Sequence, residues 1–232
     1  SDDADDVEDI TSICGGLNIN IGTLNKNTIP SMFLAGKKAN ELGHIVLLDP
    51  VGAGASRLRT DTANRLMREV RFDAVRGNIS EIKTLCTGSG STKGVDADAV
   101  DAVTEANLDD GVQLVKTFAQ RAGCIVAVTG AIDLVSDGER CWCIRNGRAE
   151  MSRITGTGCQ LSALMTAFLV ANPDHKLAAA AAAVCMMGLA GEIGWANMQP
   201  GDGNSTYRNR IIDAIFNMTG DALEKGAKYE LR

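Results

Sequence analysis

Two short runs fix what this chain can fold into. Residues His44 to Leu48 and Cys124 to Val128 are almost wholly apolar, without the alternation of a half-exposed strand. The first is bounded by Gly43 and Asp49-Pro50, and the second is closed by Thr129-Gly130. Runs this short read as strands, and apolar side chains on both sides call for cover on both faces, as in a parallel sheet. Leu17 to Gly22 alternates as a further strand, Phe72 to Val75 reads as a short one, and Leu134-Val135 with Glu139 to Ile144 reads as a hairpin around Ser136-Asp137-Gly138. Helical spacing covers residues 30–42, 60–71, 99–122 with a break near Asp109-Asp110-Gly111, 159–170, 175–195 and 207–216. Strands alternating with helices predict an α/β fold, a mostly parallel central sheet with helices on both faces. At 232 residues, without internal repeat or linker, the chain is expected to be one domain over 1–232.

Charge and cysteine usage narrow the function classes. With 29 acidic and 23 basic residues the net charge is −6, and no basic run offers a nucleic-acid face. Six acids lie within Ser1 to Ser12, an exposed helix start. The seven cysteines are odd in number and irregularly spaced, which fits reduced thiols and a cytoplasmic compartment better than an oxidised framework. Cys141-Trp142-Cys143 is the one close pair, and strand alternation explains it better than a metal site does. The apolar run from Leu177 to Ala190 is 14 residues, short of the ~20 that span a bilayer, so no membrane role is expected.

In an open parallel sheet, ligands bind beyond the carboxyl ends of the strands. Four polar, glycine-bearing segments are expected there: Asp49 to Gly54, Arg76 to Glu81, Thr129 to Asp133, and Thr155-Gly156-Thr157-Gly158-Cys159. The last precedes an apolar helix, so its backbone N–H groups can converge on an anion at a positive helix end. Cys159 falls in the first turn, where the helix dipole favours a thiolate. Taken alone, a glycine turn followed by a buried cysteine explains that segment equally well. Gly52-Ala53-Gly54 lacks the third glycine of a dinucleotide fingerprint, and Gly88-Ser89-Gly90-Ser91-Thr92-Lys93 lacks the Gly-Lys-Ser/Thr order of a P-loop. Asp49 and Glu81 could approach Mg²⁺ through its waters, although an acid after a strand is more often a turn former or a helix cap. An acidic protein holding polyphosphate needs such a cation or an arginine, and Arg76 supplies the latter. Together these features point to phosphoryl transfer.

In their order and residue content the segments resemble the hydroxyethylthiazole kinases of the ribokinase-like superfamily, thiazole-salvage enzymes of thiamine biosynthesis. Asn20-Ile21-Gly22-Thr23-Leu24 is similar to the family's first turn and Asp49-Pro50-Val51-Gly52-Ala53-Gly54 to its second. Arg76-Gly77-Asn78-Ile79-Ser80-Glu81-Ile82 is similar to its arginine and N-x-x-E segment. Thr129-Gly130, Thr155 to Cys159 and Gly201-Asp202-Gly203-Asn204 follow in order. Cysteine at 159, where many superfamily members place aspartate, is the discriminating position. The resemblance implies a ribokinase-like three-layer sandwich and transfer of the ATP γ-phosphate to 4-methyl-5-(2-hydroxyethyl)thiazole with Mg²⁺. It further implies that Arg76 and Thr129 contact ATP and that Asp49 and Glu81 organise Mg²⁺ and its waters. Gly156 would line the thiazole pocket, the Gly156, Thr157, Gly158 and Cys159 amides would form the anion hole, and Cys159 would be the catalytic base. A homotrimer is implied, with the thiazole site between subunits. A further segment of roughly 40 residues ahead of Ser1, carrying part of that pocket within the same layered domain, is also implied. The added length in residues 87–95 reads as a small insertion.

Other kinases of the superfamily, of hydroxymethylpyrimidine or pyridoxal type, are the nearest alternatives. A non-catalytic nucleotide-binding subunit is another, and would be expected to have lost Asp49, Glu81 or the glycines; all are present.

Overall fold

The computed structural model describes residues 2–87 and 102–232. The Gly88 to Lys93 loop, most of the 87–95 insertion and the expected helix start at Ala99 lie outside them. Seven strands form one sheet in chain order. β1 (Gly16–Asn20), β2 (Ile45–Asp49), β3 (Ala74–Asn78) and β4 (Ile125–Thr129) are parallel. β5 (Asp133–Ser136), β6 (Cys141–Ile144) and β7 (Tyr229–Leu231) continue antiparallel. The nine helices of the described residues are α1 (Val7–Ile13), α2 (Thr28–Leu42), α3 (Arg57–Glu69), α4 (Ile79–Thr87), α5 (Leu108–Ala122), α6 (Thr157–Ala171), α7 (Lys176–Ala196), α8 (Asn204–Phe216) and α9 (Gly220–Gly226).

Strand alternation divides the core into two layers. Val46 and Leu48 of β2 and Val126 and Val128 of β4 pack with Phe33, Leu66, Ile82 and Phe118 from α2 to α5. Ile45, Leu47, Ile125 and Ala127 point the other way, onto Leu161, Met165, Val184 and Tyr207 from α6 to α8. The three-layer α/β sandwich read from the sequence is therefore the observed fold.

Several elements differ from expectation. β3 runs to Asn78, three residues beyond the expected strand, so Arg76 sits inside it, opposite Ala127 of β4. The break near Asp109-Asp110-Gly111 is absent. Both acids lie in the first turn of α5, where negative charge is favourable at a positive helix end, and Gly111 is buried against Val103 and Leu134. Helices α4 and α9 and the edge strand β7 are additional. The helix spanning Pro173–Ala196 is, by length and hydropathy, able to cross a bilayer, but most of it is buried among the chain's own helices and sheet.

Helix α7 also seats the loop that leads from β6 to α6. Gly188 meets Asn146 so closely that a Cβ there would lie 2.6 Å from the Asn146 carbonyl carbon. Glu192 accepts hydrogen bonds from the Gly147 N–H at 2.9 Å and the Asn146 amide at 3.3 Å. Fixed in this way, the loop delivers α6 to the carboxyl edge of the sheet from the face opposite α2 to α5.

Candidate active site

The period of two along each strand places the site residues. Asn20, Asp49, Arg76 and Thr129 all occupy the α6-facing positions at or near the carboxyl ends of β1 to β4, in step with inward-facing Leu47, Ala74 and Ala127. Asp49 is fully buried. Its Oδ1 receives Arg76 Nη1 at 3.4 Å, and its Oδ2 receives Asn20 Nδ2 at 2.8 Å and Ser162 Oγ at 2.9 Å. Burial pushes the Asp49 carboxyl above its ordinary range, against the pull of Arg76, Ser162 and Asn20. Arg76 Nη2 donates to Thr129 Oγ1 at 2.9 Å, while its buried Nε has no partner.

Helix α6 completes the arrangement. Gly156 is its N-cap at φ +95°, a backbone suited to glycine, and no side chain caps the turn. The first intrahelical bond of this turn runs from Gln160 N to Gly156 O, which leaves the amides of Thr157, Gly158 and Cys159 ahead of it. The Arg76 guanidinium lies against this turn: a Cβ on Gly158 would sit 2.6 Å from Nη2 and 2.8 Å from Nη1. With Asp49 balancing the guanidinium, Arg76 and the positive helix end converge on one place, where together they can receive an anion. Cys159 is exposed on the same turn and its Sγ accepts from Asn20 Nδ2 at 3.2 Å.

Glu81 is held differently. Its Oε1 accepts from Gly52 N and its Oε2 from Asn78 N, each at 2.8 Å, while Glu81 N donates to Asn78 Oδ1 at 2.8 Å. The N-x-x-E segment is thus also a capping box for α4, and it ties the β2 turn to β3. Burial pushes Glu81 upward as well, opposed by those two amides and Arg76. Among the described residues no three His, Cys, Asp or Glu side chains cluster as a metal site. Two buried carboxylates whose oxygens already accept protein hydrogen bonds fit a Mg²⁺ that keeps its waters and is held mainly by phosphate oxygens.

Two residues of this region, Ser162 and Arg59, carry no signal in the sequence analysis. Ser162 points from α6 into the sheet. Arg59 of α3 donates to Gly22 O at 2.9 Å and Val51 O at 3.4 Å, clamping the turns after β1 and β2. Asn20 appears there only as part of a turn. Asp133 accepts the Gly130 N–H at 2.8 Å, and burial pushes its carboxyl up to about 7.

Comparisons with known proteins bear on the family and the fold. A family model described as the hydroxyethylthiazole kinase family matches residues 1–221. Hydroxyethylthiazole kinase of Clostridium acetobutylicum is 54% identical over 230 residues, covering 99% of this chain and 84% of that protein. The Clostridium beijerinckii protein of the same description is 46% identical over 231 residues, covering 99% and 82%. Among solved structures, a hydroxyethylthiazole kinase protein from Pyrococcus horikoshii OT3 superposes with a TM-score of 0.86 at 29% identity, covering 100% of this chain and 83% of that one. Pyridoxal kinase from Staphylococcus aureus superposes with a TM-score of 0.60 at 18% identity over 98% of this chain and 76% of that one, a likeness of fold alone.

Proposed function

The chain belongs to the hydroxyethylthiazole kinase family, and from that premise we propose that the carboxyl-edge site phosphorylates the hydroxyl of 4-methyl-5-(2-hydroxyethyl)thiazole with ATP, in thiamine biosynthesis. One observation carries the assignment to this site: the Arg76 guanidinium lies against the uncapped first turn of α6, beside buried Asp49. Arg76 and Thr129 contact the ATP phosphates, and Gly156 lines the thiazole pocket. The amides of Gly156, Thr157, Gly158 and Cys159 receive the transferred phosphoryl group. Asp49 and Glu81 are the residues that would hold Mg²⁺, and the ion would offset polyphosphate charge.

The acceptor oxygen forms its bond to the γ-phosphorus as the bond to the bridging oxygen breaks, and that electron pair leaves on ADP. The hydroxyl proton passes to Cys159 Sγ. A thiolate is a weak base for an alcohol, so charge stabilisation by Arg76 and the helix turn supplies most of the rate. We read the assembly as a homotrimer in the cytoplasm. The trimer follows from the family resemblance, and seven unpaired thiols support the compartment.

A coupled assay of ADP release by the natural full-length chain, with ATP and Mg²⁺, should show turnover that depends on hydroxyethylthiazole. Turnover with other small alcohols, and none with the thiazole, would overturn the substrate. In the same assay Cys159→Ala should lower kcat by about tenfold, below the ~10²–10⁴ typical of acid–base groups, with KM for ATP unchanged. Loss of nucleotide affinity in that variant would contradict the role given to the thiol.

A further inference from the structure

The orientation of the Asn20 amide is fixed by its surroundings. Oδ1 accepts the Gly22 N–H at 2.8 Å, and a backbone N–H can only donate, so the amino end must face the other way. That end donates to Asp49 Oδ2 at 2.8 Å and to Cys159 Sγ at 3.2 Å. Its two hydrogens are thus both placed, and the sulfur stands as an acceptor on the Asn20 side. Beyond Asp49 the chain of bonds continues through Arg76 to Thr129. One line of hydrogen bonds therefore joins the thiol at the acceptor end to the hydroxyl at the ATP end, across four strands.

We infer that Asn20 is a positioning residue for phosphoryl transfer, acting through Cys159 by holding its sulfur as a hydrogen-bond acceptor in register with Asp49. The inference rests on the proposed role of Cys159 beside the acceptor hydroxyl. The bond from Asn20 fixes where the sulfur stands, beside Asp49, so that its remaining side is open to the acceptor hydroxyl. Asp49 does not need Asn20 in the same way, because Ser162 donates to the same Asp49 oxygen at 2.9 Å and Arg76 binds the other. Cys159 has no such second donor among the bonds the structure records.

Alkylation by iodoacetamide, mapped by peptide mass, tests the contact without depending on catalysis. Cys14 and Cys159 are the two exposed thiols, and burial pushes Cys124 and Cys141 up to about 12 and Cys185 to about 11, which leaves them slow to react. Asn20→Ala should slow alkylation of Cys159 by about fivefold, the factor expected for one lost hydrogen bond, and leave Cys14 unchanged as the internal control. In turnover it should lower kcat by about fivefold with KM for ATP unchanged, and in a Cys159→Ala background it should add less than about twofold. Asn20→Ser keeps a local acceptor for the Gly22 N–H but is too short to reach the sulfur, so it should give the same result if the alanine variant folds poorly. Unchanged alkylation at Cys159, or an equal loss of kcat in both backgrounds, would overturn the inference. Failure of the parent enzyme to turn over the thiazole would overturn the substrate assignment instead, and the alkylation result would still decide whether Asn20 controls the thiol.

Discussion

Arg76→Ala should lower kcat/KM by about 10³, the low end of what a phosphate-stabilising arginine contributes. The guanidinium does three things from one place in β3. It donates to Thr129, it neutralises part of the Asp49 charge, and it lies on the first turn of α6, the turn proposed to receive the phosphoryl group. Lysine cannot replace it, because a single ammonium cannot reach both partners and still face the helix turn as a planar fork. Arg76→Lys should therefore recover less than about tenfold of the loss. Steady-state kinetics with ATP and thiazole varied separately would test this. A drop of under about tenfold in the alanine variant would mean that the helix turn alone carries the phosphate charge.

Asp49→Asn should reduce kcat/KM by about 10² or more under the cation-ordering role proposed for it, since ordering a cation is worth several kcal/mol of transition-state stabilisation. Stability should change far less. Burial holds the folded Asp49 carboxyl above its ordinary value, so its charge costs stability at neutral pH and a neutral isostere relieves that cost. The sign follows from proton counts. Above the ordinary carboxylate value of ~4 the unfolded chain has released a proton that folded Asp49 still binds, so stability falls as pH rises through that window and levels off above the folded value. Asp49→Asn should flatten this fall, while Glu81, raised for the same reason, leaves its own slope. Urea midpoints measured across a pH series would resolve both effects. Loss of stability in proportion to activity would identify Asp49 as a structural residue.

Much of this arrangement is legible in the residues. The two-sided apolar runs identify the buried strands, and Asp49, Thr129 and Gly156 to Cys159 are readable because they follow such runs or open a helix. Arg76 is misplaced by the same logic: its charge looks like the end of a strand, yet β3 continues because Gly77 and Asn78 pair with β4. Helix α4 is hidden because Asn78 to Glu81 reads as a binding segment, although the same four residues are its cap. Strand β7 has three residues, is largely exposed and pairs only with β6, so its sequence carries almost no pattern. Ser162 could not be assigned from the sequence, since a serine on an apolar helix shows its purpose only when the helix is docked.

The two-sided construction of the site also has a consequence for biosynthesis. Strands β1 to β4 pair with successive neighbours, so they can zip together in the order in which the ribosome delivers them. Asp49, however, finds Ser162 113 residues later, and Asn20 finds Cys159 139 residues later. Closing such wide separations comes after the local pairings that bring the ends together. A nascent chain that has not yet released α6 therefore carries its carboxylates and Arg76 on a bare sheet face, unable to cradle a phosphoryl group. The proposed site is therefore assembled only when the second layer of helices docks on the sheet.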